Sequence, residues 1–329
     1  MRRMIMLLRD FFIQLSGNDL LNSTAKKYGP KLGAQSVVAG TTIEETIESI
    51  KELNAQNIAC TIDNLGEFVT SEEEAAKAKE QIISVIEAIH NNGLNAHISL
   101  KPSHLGLDID VDFCYDNLYE IVEKAASYGI FVNFDMENYE RLQTSFDMVE
   151  ELSKTFDNVG TVIQSYFYRA KEDIEKFQNL RLRIVKGAYK EPVEVAFQNK
   201  LDIDLNFIEL IEYHLLNGKF TSIATHDHHV IAHVKRFVAD NNIPNDKFEF
   251  QMLYGFRTDL QKSLAKEGYN FCVYVPFGED WYGYFMRRLA ERPQNINLIT
   301  KKVFTKKTNT VLAVAAGAFV LGRLTKRNK

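Results

Sequence analysis

The strongest chemical signal in this sequence is a polar stripe along one predicted helix, late in the chain. The stripe consists of Tyr284, Arg287, Arg288 and Glu291. Their spacing of i, i+3, i+4 and i+7 places them on one face of a helix that Asp280 caps and Pro293 ends. Neighbouring guanidinium groups repel each other unless an anion compensates, and their planar donors suit a carboxylate. The stripe therefore predicts binding of a small carboxylate, and a solvated helix face with an Arg–Glu pair is the alternative.

A second set of polar residues lies at the ends of β-rich runs, where a parallel barrel has its active site. The set is Asp63 and Glu67, Lys101, Asp135 and Glu137, Gln164, Lys186, Thr225 with His226 and Asp227, Gln251, and Tyr274. Loops are polar in any barrel, so this pattern locates a site without naming its reaction.

Two of these strand ends carry more detail. The run RIVKGAY at 183–189 places Arg183 and Lys186 beside a glycine, which lets a large planar or phosphorylated ligand approach the backbone. The run ATHDHH at 224–229 contains three histidines, but no carboxylate and histidine at i, i+4 accompany them. We therefore predict no metal site, and expect the hydroxyl and imidazole groups of this run to bind ribose or phosphate.

Eight short β-rich runs alternate with longer helical runs and must position these side chains. The β-rich runs lie at 58–65, 94–100, 130–136, 160–167, 182–188, 220–225, 248–253 and 271–275. Eight β/α alternations with no hairpin signal predict an α/β fold whose parallel sheet closes into a (βα)8 barrel. A doubly wound open sheet is disfavoured, because the chain has no glycine-rich phosphate loop of either common type.

Local signals predict where some of the helices begin and end. Ser71 followed by Glu74 is a capping-box pattern, which marks a helix start. Gly93, Gly129 and Gly218 fall just past predicted helices, where a left-handed residue commonly ends a helix.

The 329 residues divide into three predicted regions: N-terminal helices at 1–56, a catalytic barrel at 57–300, and a basic and apolar tail at 301–329. The chain starts with basic and then apolar residues, but Arg9 and Asp10 favour a packed helix over a signal peptide. In the tail, the apolar run at 311–322 has basic flanks and is shorter than the roughly 17 residues that span a bilayer. An interfacial membrane segment and a helix docked on the barrel fit this run equally well.

Composition sets further bounds on the class of protein. Hydrophobic residues make up 45% and charged residues 25% of the chain, as in globular proteins that bury a core. The net charge of -5 gives no bulk reason to expect nucleic-acid binding. Cys60, Cys114 and Cys272 are far apart without metal-ligand spacing, and we predict three core residues in a reducing compartment.

Several short motifs occur in order across most of the chain, from about residue 63 to 295. They are DNLGE at 63–67, SLKPS at 99–103, DME at 135–137, IQSY at 163–166, RIVKGAY at 183–189, ATH at 224–226, FQML at 250–253 and YGYFMRRLAE at 282–291. In this order and at strand ends, they resemble the flavin-dependent proline dehydrogenase family in its short, single-function bacterial form. The resemblance implies a distorted (βα)8 TIM barrel that holds FAD.

The resemblance also implies roles for individual residues. Asp135 and Arg183 correspond to a catalytic polar pair beside flavin and substrate. Arg287 and Arg288, with Lys101 as a third cation, would hold the substrate carboxylate. The implied substrate-binding residues are Lys101, Leu253, Tyr274, Tyr284, Arg287, Arg288 and Glu291. The implied FAD-binding residues are Met136, Gln164, Arg183, Lys186, Gly187, Ala188, Thr225, His226 and Gln251.

The reaction implied by the resemblance is oxidation of L-proline to Δ1-pyrroline-5-carboxylate by hydride transfer to FAD, the first step of proline catabolism to glutamate. Electrons would then pass to a quinone acceptor. The expected location is cytoplasmic, with peripheral contact at the inner face of the membrane through the C-terminal tail. Two other functions stay open from the residues alone: a Schiff-base aldolase that uses Lys101 or Lys186, and a non-catalytic proline or flavin sensor.

Overall fold

A computed structural model describes residues 38–291 of the chain, excluding the side chains of residues 287 and 289–291. The tail, the end of the predicted barrel domain and most of the predicted N-terminal helices therefore lie outside the described residues. Within them, one helix precedes the first strand, in the region where the sequence predicts such helices.

Eight strands form a closed parallel barrel. They are β1 (Ala59–Asn64), β2 (Ala96–Leu100), β3 (Val132–Phe134), β4 (Val159–Gln164), β5 (Arg181–Val185), β6 (Phe220–Ala224), β7 (Phe248–Leu253) and β8 (Phe271–Phe277). Each strand pairs with the next, and β1 pairs with β8. The predicted (βα)8 barrel is confirmed, and the predicted runs differ from the strands by only a few residues at their ends.

Helices cover the outside of the barrel. They are α1 (Ile43–Asn54), α2 (Glu72–Asn91), α3 (Val111–Ser127), α4 (Tyr139–Ser153), α5 (Ala170–Lys176), α6 (Lys200–Asn217), α7 (His228–Asp240), α8 (Thr258–Lys266) and α9 (Trp281–Glu291). Short 3-10 turns lie at Pro102–Leu105 and Asn245–Lys247. In the described part of the chain, no helix is long and apolar enough to cross a membrane.

The local end signals are confirmed in part. Ser71 caps α2 by accepting the backbone N–H of Glu74 at 3.3 Å. Gly93 and Gly129 adopt the expected left-handed backbone, with φ of 59° and 66°. The prediction is wrong for Gly218, which is extended with φ −89° and ψ 165°. A glycine is needed there for space, because a Cβ atom would lie 2.3 Å from the ring of His214.

The apolar core lies between the strands and the helices, whereas the barrel interior is largely polar. Cys60, Cys114 and Cys272 are buried free thiols, as predicted. Inside the barrel near the amino ends of the strands, Arg181 lies between the rings of Phe131 and Phe220, its Cζ 4.5 and 4.6 Å from their centroids. Arg181 is only partly buried, and its carboxylate partner, Glu249, is described with the site below.

His214 lies in the shell between α6 and the sheet. Its ring is fully buried, and Nδ1 is 2.8 Å from the hydroxyl of Thr221 in β6. Burial lowers the pKa of His214 from its ordinary 6.5 to about 4, because the charged form is poorly solvated there.

We expect this histidine to contribute to acid sensitivity. Its folded pKa lies below the unfolded one, so as the pH falls the unfolded chain binds the proton first. The stability that His214 contributes is complete above pH 6.5 and declines toward pH 4, by about 2.5 kcal/mol at pH 4.5. Urea unfolding at pH 7 and pH 4.5 should show that His214→Gln loses correspondingly less stability than the unmodified chain.

The control is His90→Gln, which changes an exposed histidine in α2. This variant should keep the pH dependence of the unmodified chain. An unchanged pH dependence in His214→Gln would contradict the assignment.

Candidate active site

A buried ion pair between Arg183 and Asp135 lies inside the barrel, near the carboxyl ends of the strands. Arg183, in β5, donates from Nη1 to Oδ1 of Asp135, which directly follows β3, at 2.5 Å. The guanidinium also donates to Ser99 Oγ at 3.0 Å and to Thr61 Oγ1 at 3.1 Å. Arg183 is 4% exposed and Asp135 is 9% exposed. A pair so deeply buried is sustained by these additional hydrogen bonds, which replace lost hydration.

Both carboxylate oxygens of Asp135 have partners. Oδ1 also accepts from Ser99 Oγ at 2.8 Å and from Asn133 Nδ2 at 3.1 Å. Oδ2 lies 2.8 Å from the hydroxyl of Tyr274 in β8. The guanidinium of Arg183 lies over the ring of Tyr274, its Cζ 5.2 Å from the centroid, so both members of the pair contact this one residue.

Tyr274 extends the network to Asp63 and Lys101. Its hydroxyl is 2.6 Å from Asp63 Oδ2, and Lys101 Nζ donates to the same oxygen at 2.8 Å. Burial, and then the carboxylates of Asp135 and Asp63, raise the pKa of Tyr274 well above its ordinary value. Burial alone would lower the pKa of Lys101, but the surrounding carboxylates, above all Asp63, raise it above its ordinary value. Tyr274 is therefore a neutral phenol and Lys101 is a cation.

Below this network, Glu249 forms a second polar cluster. Its Oε1 accepts from Arg181 Nη2 at 2.6 Å, from Ser222 Oγ at 2.7 Å and from Gln251 Nε2 at 2.5 Å. The side-chain oxygen of Gln251 is buried and has no hydrogen-bond partner, and the same holds for Nε of Arg183. These two atoms are polar groups that a ligand at this depth would satisfy.

Glu137 fixes the loops above the site. Its carboxylate accepts from the hydroxyl of Ser103 at 2.5 Å and from the backbone N–H of Ser103 at 3.0 Å. Burial raises the pKa of Glu137, while the hydrogen bonds from Ser103 oppose that rise. Ser103 also accepts from the backbone N–H of Phe68, and Gln164 donates to the backbone carbonyl of Glu137 at 2.8 Å. The predicted cofactor residue Gln164 is therefore held in place by the segment after β3.

The segment after β6 holds Thr225 and His226 close to β7. Thr225 is buried, and its hydroxyl accepts the backbone N–H of Asp227 at 3.1 Å. Nε2 of His226 accepts the backbone N–H of Leu253 at 3.2 Å, which leaves Nδ1 as the protonated nitrogen. Leu253, at the carboxyl end of β7, is partly exposed.

The segment after β5 presents Lys186, Gly187 and Ala188 at the barrel rim. Lys186 donates to Asp204 at 2.5 Å. Gly187 is left-handed, with φ of 109°, and a Cβ atom there would lie 2.5 Å from the ring of Tyr166. Only a glycine permits this turn, which brings bare backbone to the rim, as the sequence predicted.

Helix α9 begins just after β8, at the same end of the barrel. Tyr284 is buried, and the Cζ atom of Arg288 lies 5.1 Å from its ring centroid, as the i, i+4 spacing predicts. The predictions for the side chains of Arg287 and Glu291 lie outside the described residues. Met136, the remaining predicted cofactor residue, is buried after β3.

Comparison with known proteins identifies the family. A family model described as proline dehydrogenase matches residues 46–300. Proline dehydrogenase 2 of Bacillus subtilis is 47% identical over 304 residues, which are 92% of this chain and 100% of that protein. The proline dehydrogenase of Deinococcus radiodurans is 42% identical over 275 residues, 82% of this chain and 89% of that protein. The chain belongs to the proline dehydrogenase family. The resemblance drawn from the motifs, and the enzyme class it implied, are confirmed.

A solved structure agrees at the level of the fold. Proline utilization A from Bdellovibrio bacteriovorus, in a crystal structure of the protein inactivated by N-propargylglycine, superposes with a TM-score of 0.77 at 23% identity. The match covers 91% of this chain and 38% of that one. At this identity it shows that the two chains share the barrel.

In this member of the proline dehydrogenase family, the structure joins Lys101, Asp135, Arg183 and Tyr274 in one network, as the predicted site requires. The sequence analysis gave no site role to several residues that complete the network. They are Thr61, Ser99 and Asn133, whereas Asp63 was among the predicted strand-end residues but was given no specific role. A signal for them exists in the sequence: polar residues recur at every second position of β1, β2 and β3, where an interior-facing strand of an apolar barrel would carry aliphatic residues.

The aldolase alternative loses support from this geometry. A Schiff-base lysine must be a neutral amine to attack a carbonyl, whereas Lys101 is held as a cation beside Asp63 and Lys186 is paired with Asp204.

We expect Arg183 and Asp135 to be energetically coupled. In a double-mutant cycle of Arg183→Met and Asp135→Asn, measured by urea unfolding, the coupling energy should reach about 2 kcal/mol. The reason is that either single change leaves a buried charge without its partner. Arg181→Met combined with Asp135→Asn is the control and should be additive within about 0.5 kcal/mol, because the carboxylate partner of Arg181 is Glu249. Additivity of the first pair would contradict the coupling.

Proposed function

We propose that this protein oxidises L-proline to Δ1-pyrroline-5-carboxylate, the first step of proline catabolism to glutamate. The observation that carries the proposal is the buried network of Arg183, Asp135, Tyr274, Asp63 and Lys101 at the carboxyl end of the barrel. It places cations, carboxylates and a phenol where barrel enzymes carry out their chemistry. The family membership and the relatives named proline dehydrogenase support the choice of L-proline.

The residues at the barrel rim fit FAD as cofactor. Two buried polar atoms, Arg183 Nε and Gln251 Oε1, have no protein partner, and the ring edge of a flavin offers both an acceptor and a donor. The glycine turn after β5 exposes backbone for a phosphate or a planar group. When bound, FAD supplies the hydride acceptor for ring C5 of the substrate. The residues that would hold it are Met136, Gln164, Arg183, Lys186, Gly187, Ala188, Thr225, His226 and Gln251.

The substrate carboxylate would be bound by cations on two sides. Arg287 and Arg288 of α9 would bind it from one side, and Lys101, which follows β2, would bind it from the other. Lys101 remains charged because the surrounding carboxylates raise its pKa above the ordinary value. The Arg288 guanidinium lies against the Tyr284 ring, which restricts its orientation before a ligand arrives.

Apolar and aromatic groups would hold the pyrrolidine ring. Leu253 ends β7, Tyr274 is in β8, and Tyr284 is buried in α9. Glu291 would orient an arginine of the clamp or the amine of the substrate. These contacts would orient ring C5 of the substrate for hydride transfer, and such positioning would be a major part of the protein's contribution to rate.

The substrate amine must lose a proton before C5 releases hydride, because a protonated nitrogen cannot stabilise the developing iminium. The cations that bind the carboxylate also disfavour a second positive charge nearby, and so promote loss of the amine proton. Binding and activation of L-proline would thus rest on the same charged residues.

Electrons would then pass to a quinone. The basic and apolar tail at 301–329 is a suitable element for peripheral contact with an anionic membrane surface, where quinones are dissolved. We propose a cytoplasmic protein that docks at the inner face of the membrane through this tail. A role in nucleic-acid binding is not proposed, given the net charge of -5.

An absorbance spectrum of the purified protein, recorded before and after anaerobic addition of L-proline, tests the proposal. We expect the visible bands of an oxidised flavin, and we expect L-proline to bleach them. Flavin bands that L-proline leaves unchanged would indicate a sensor. A colourless protein that borohydride links covalently to a carbonyl substrate would indicate an aldolase.

We expect Arg287→Met and Arg288→Met each to raise the KM for L-proline at least about tenfold, because each removes a charged donor to the carboxylate. The flavin bands should remain at full intensity. Steady-state dye reduction measures KM, and Arg236→Met, which removes an exposed arginine of α7, is the control with normal KM. Normal KM in both α9 variants would reject the carboxylate clamp.

A further inference from the structure

The hydroxyl of Tyr274 lies between two carboxylates. It is 2.6 Å from Asp63 Oδ2 and 2.8 Å from Asp135 Oδ2, and both are hydrogen-bond distances. A phenol has one proton to donate, so it satisfies only one of these contacts. The other contact is a hydrogen bond only if the carboxyl group itself carries a proton. If both carboxylates are ionised, the phenol proton fills only one of the two contacts. The other contact can therefore hold one additional proton.

The direction of the phenol hydrogen is set by Lys101. Its ammonium group donates to the same Asp63 oxygen that faces the phenol, at 2.8 Å, so Asp63 belongs to a charge-assisted pair with Lys101. The contact from Tyr274 to Asp63 is also the shorter of the two. The phenol therefore donates to Asp63, and its oxygen lone pair faces Asp135.

The remaining place for a proton is Oδ2 of Asp135. The other oxygen, Oδ1, already accepts from Arg183, Ser99 and Asn133. A proton on Oδ2 would point at the phenol oxygen and complete a chain of hydrogen bonds from Asp135 through Tyr274 to Asp63. The chain then ends on the ammonium of Lys101.

We propose that Asp135 Oδ2 is the base that accepts the amine proton of L-proline. In this proposal Asp63 is a positioning residue, which orients the Tyr274 hydroxyl so that the phenol oxygen can accept a hydrogen bond from the protonated Asp135. This inference rests on the proposed oxidation of L-proline. An N–H bond of the substrate ammonium breaks, its electron pair stays on nitrogen, and an O–H bond forms on Oδ2. The ammonium and the carboxylate both become neutral, and the C5 hydride leaves afterwards to the acceptor named above.

The groups that face this chain define its response to pH. They are Lys101, Arg183, Glu67, His104 and, through His104, Asp280. Burial and then Lys101 lower the pKa of His104 to about 4, so this ring is neutral above pH 5. Lys101 stays a cation, because the surrounding carboxylates raise its pKa above the ordinary value. The acid limb of the rate profile therefore reports the group that accepts the amine proton, which is Asp135 in this proposal.

Asp63→Asn tests the positioning role. An amide is a weaker acceptor than a carboxylate, so the phenol should turn and donate to Asp135. Asp135 then gains a hydrogen-bond donor at Oδ2 and no longer faces a phenol lone pair that could accept its proton, so it becomes a weaker base toward the amine. We expect kcat/KM for L-proline to fall at least about tenfold and the acid limb of its pH profile to move to lower pH by about one unit.

Two further probes separate proton transfer from simple support of Lys101. Tetrahydrofuran-2-carboxylate has the carboxylate and the ring but no amine proton, so its Kd, read from the flavin spectrum, should not weaken in Asp63→Asn. The diastereomers of 4-fluoro-L-proline have a less basic amine, so the variant's loss of kcat/KM should be smaller with them than with L-proline. Tyr274→Phe keeps the ring but removes the oxygen that would accept a hydrogen bond from protonated Asp135. This variant should therefore move the acid limb in the same direction.

The matched control is Asp173→Asn, which removes a buried, arginine-paired carboxylate in α5, remote from the chain of hydrogen bonds described above. Its acid limb and kcat/KM should equal those of the unmodified enzyme. An unmoved acid limb in both Asp63→Asn and Tyr274→Phe would overturn the proposal. The proposal would also be overturned if Asp63→Asn lost kcat/KM equally with L-proline and with 4-fluoro-L-proline and bound tetrahydrofuran-2-carboxylate more weakly. That result would mean that Asp63 acts by holding Lys101. Absence of proline-dependent bleaching in the unmodified enzyme would instead refute the proposed function.

Discussion

The ion pair between Arg183 and Asp135 is the interaction on which the rest of the site depends. Two opposite charges buried inside a barrel are sustained only if their other donors and acceptors are also satisfied. Thr61, Ser99 and Asn133 meet that requirement from three different strands. The pair therefore ties together β1, β2, β3 and β5, and explains why the interior of these strands is polar where many barrels are aliphatic.

The charges of the network are nearly balanced before any substrate binds. Lys101 and Arg183 are cations, and Asp63 and Asp135 are their carboxylate partners. A zwitterion that enters such a site brings its own carboxylate, which the arginines of α9 are suited to meet, and an ammonium whose proton the site must take. The same balance that keeps the barrel stable thus makes the protonation state of the substrate part of the chemistry.

A second charged pair at the opposite end of the barrel serves a different purpose. Arg181 and Glu249 lie near the amino ends of the strands, and the Arg181 guanidinium is enclosed by two aromatic rings. Barrel enzymes place structural interactions at that end and reactive groups at the other. Gln251 connects the two levels, since its amide donates to Glu249 while its oxygen remains available to a ligand.

Much of the architecture could be predicted from the sequence, because strand and helix periodicities are local properties of the chain. The eight strands and the strand-end positions of Lys101, Asp135 and Tyr274 followed from that pattern, and the family motifs named the enzyme class. The extended backbone of Gly218 could not be predicted, since it depends on the ring of His214 packing against the turn. The roles predicted for the C-terminal tail and for the side chains of Arg287 and Glu291 stay predictions, because these parts lie outside the described residues.

The sequence by itself determined the fold, the end of the barrel that carries the chemistry, and the family. Only the tertiary structure decided how the charges combine. Asp63 and Tyr274 are 211 positions apart, and no local pattern states that their oxygens lie 2.6 Å apart. Barrel closure brings β8 beside β1 and so creates that contact, along with the shared proton position next to Asp135. Periodicity tells which side of a strand a residue faces, whereas pairing across the barrel is set by strand register and closure.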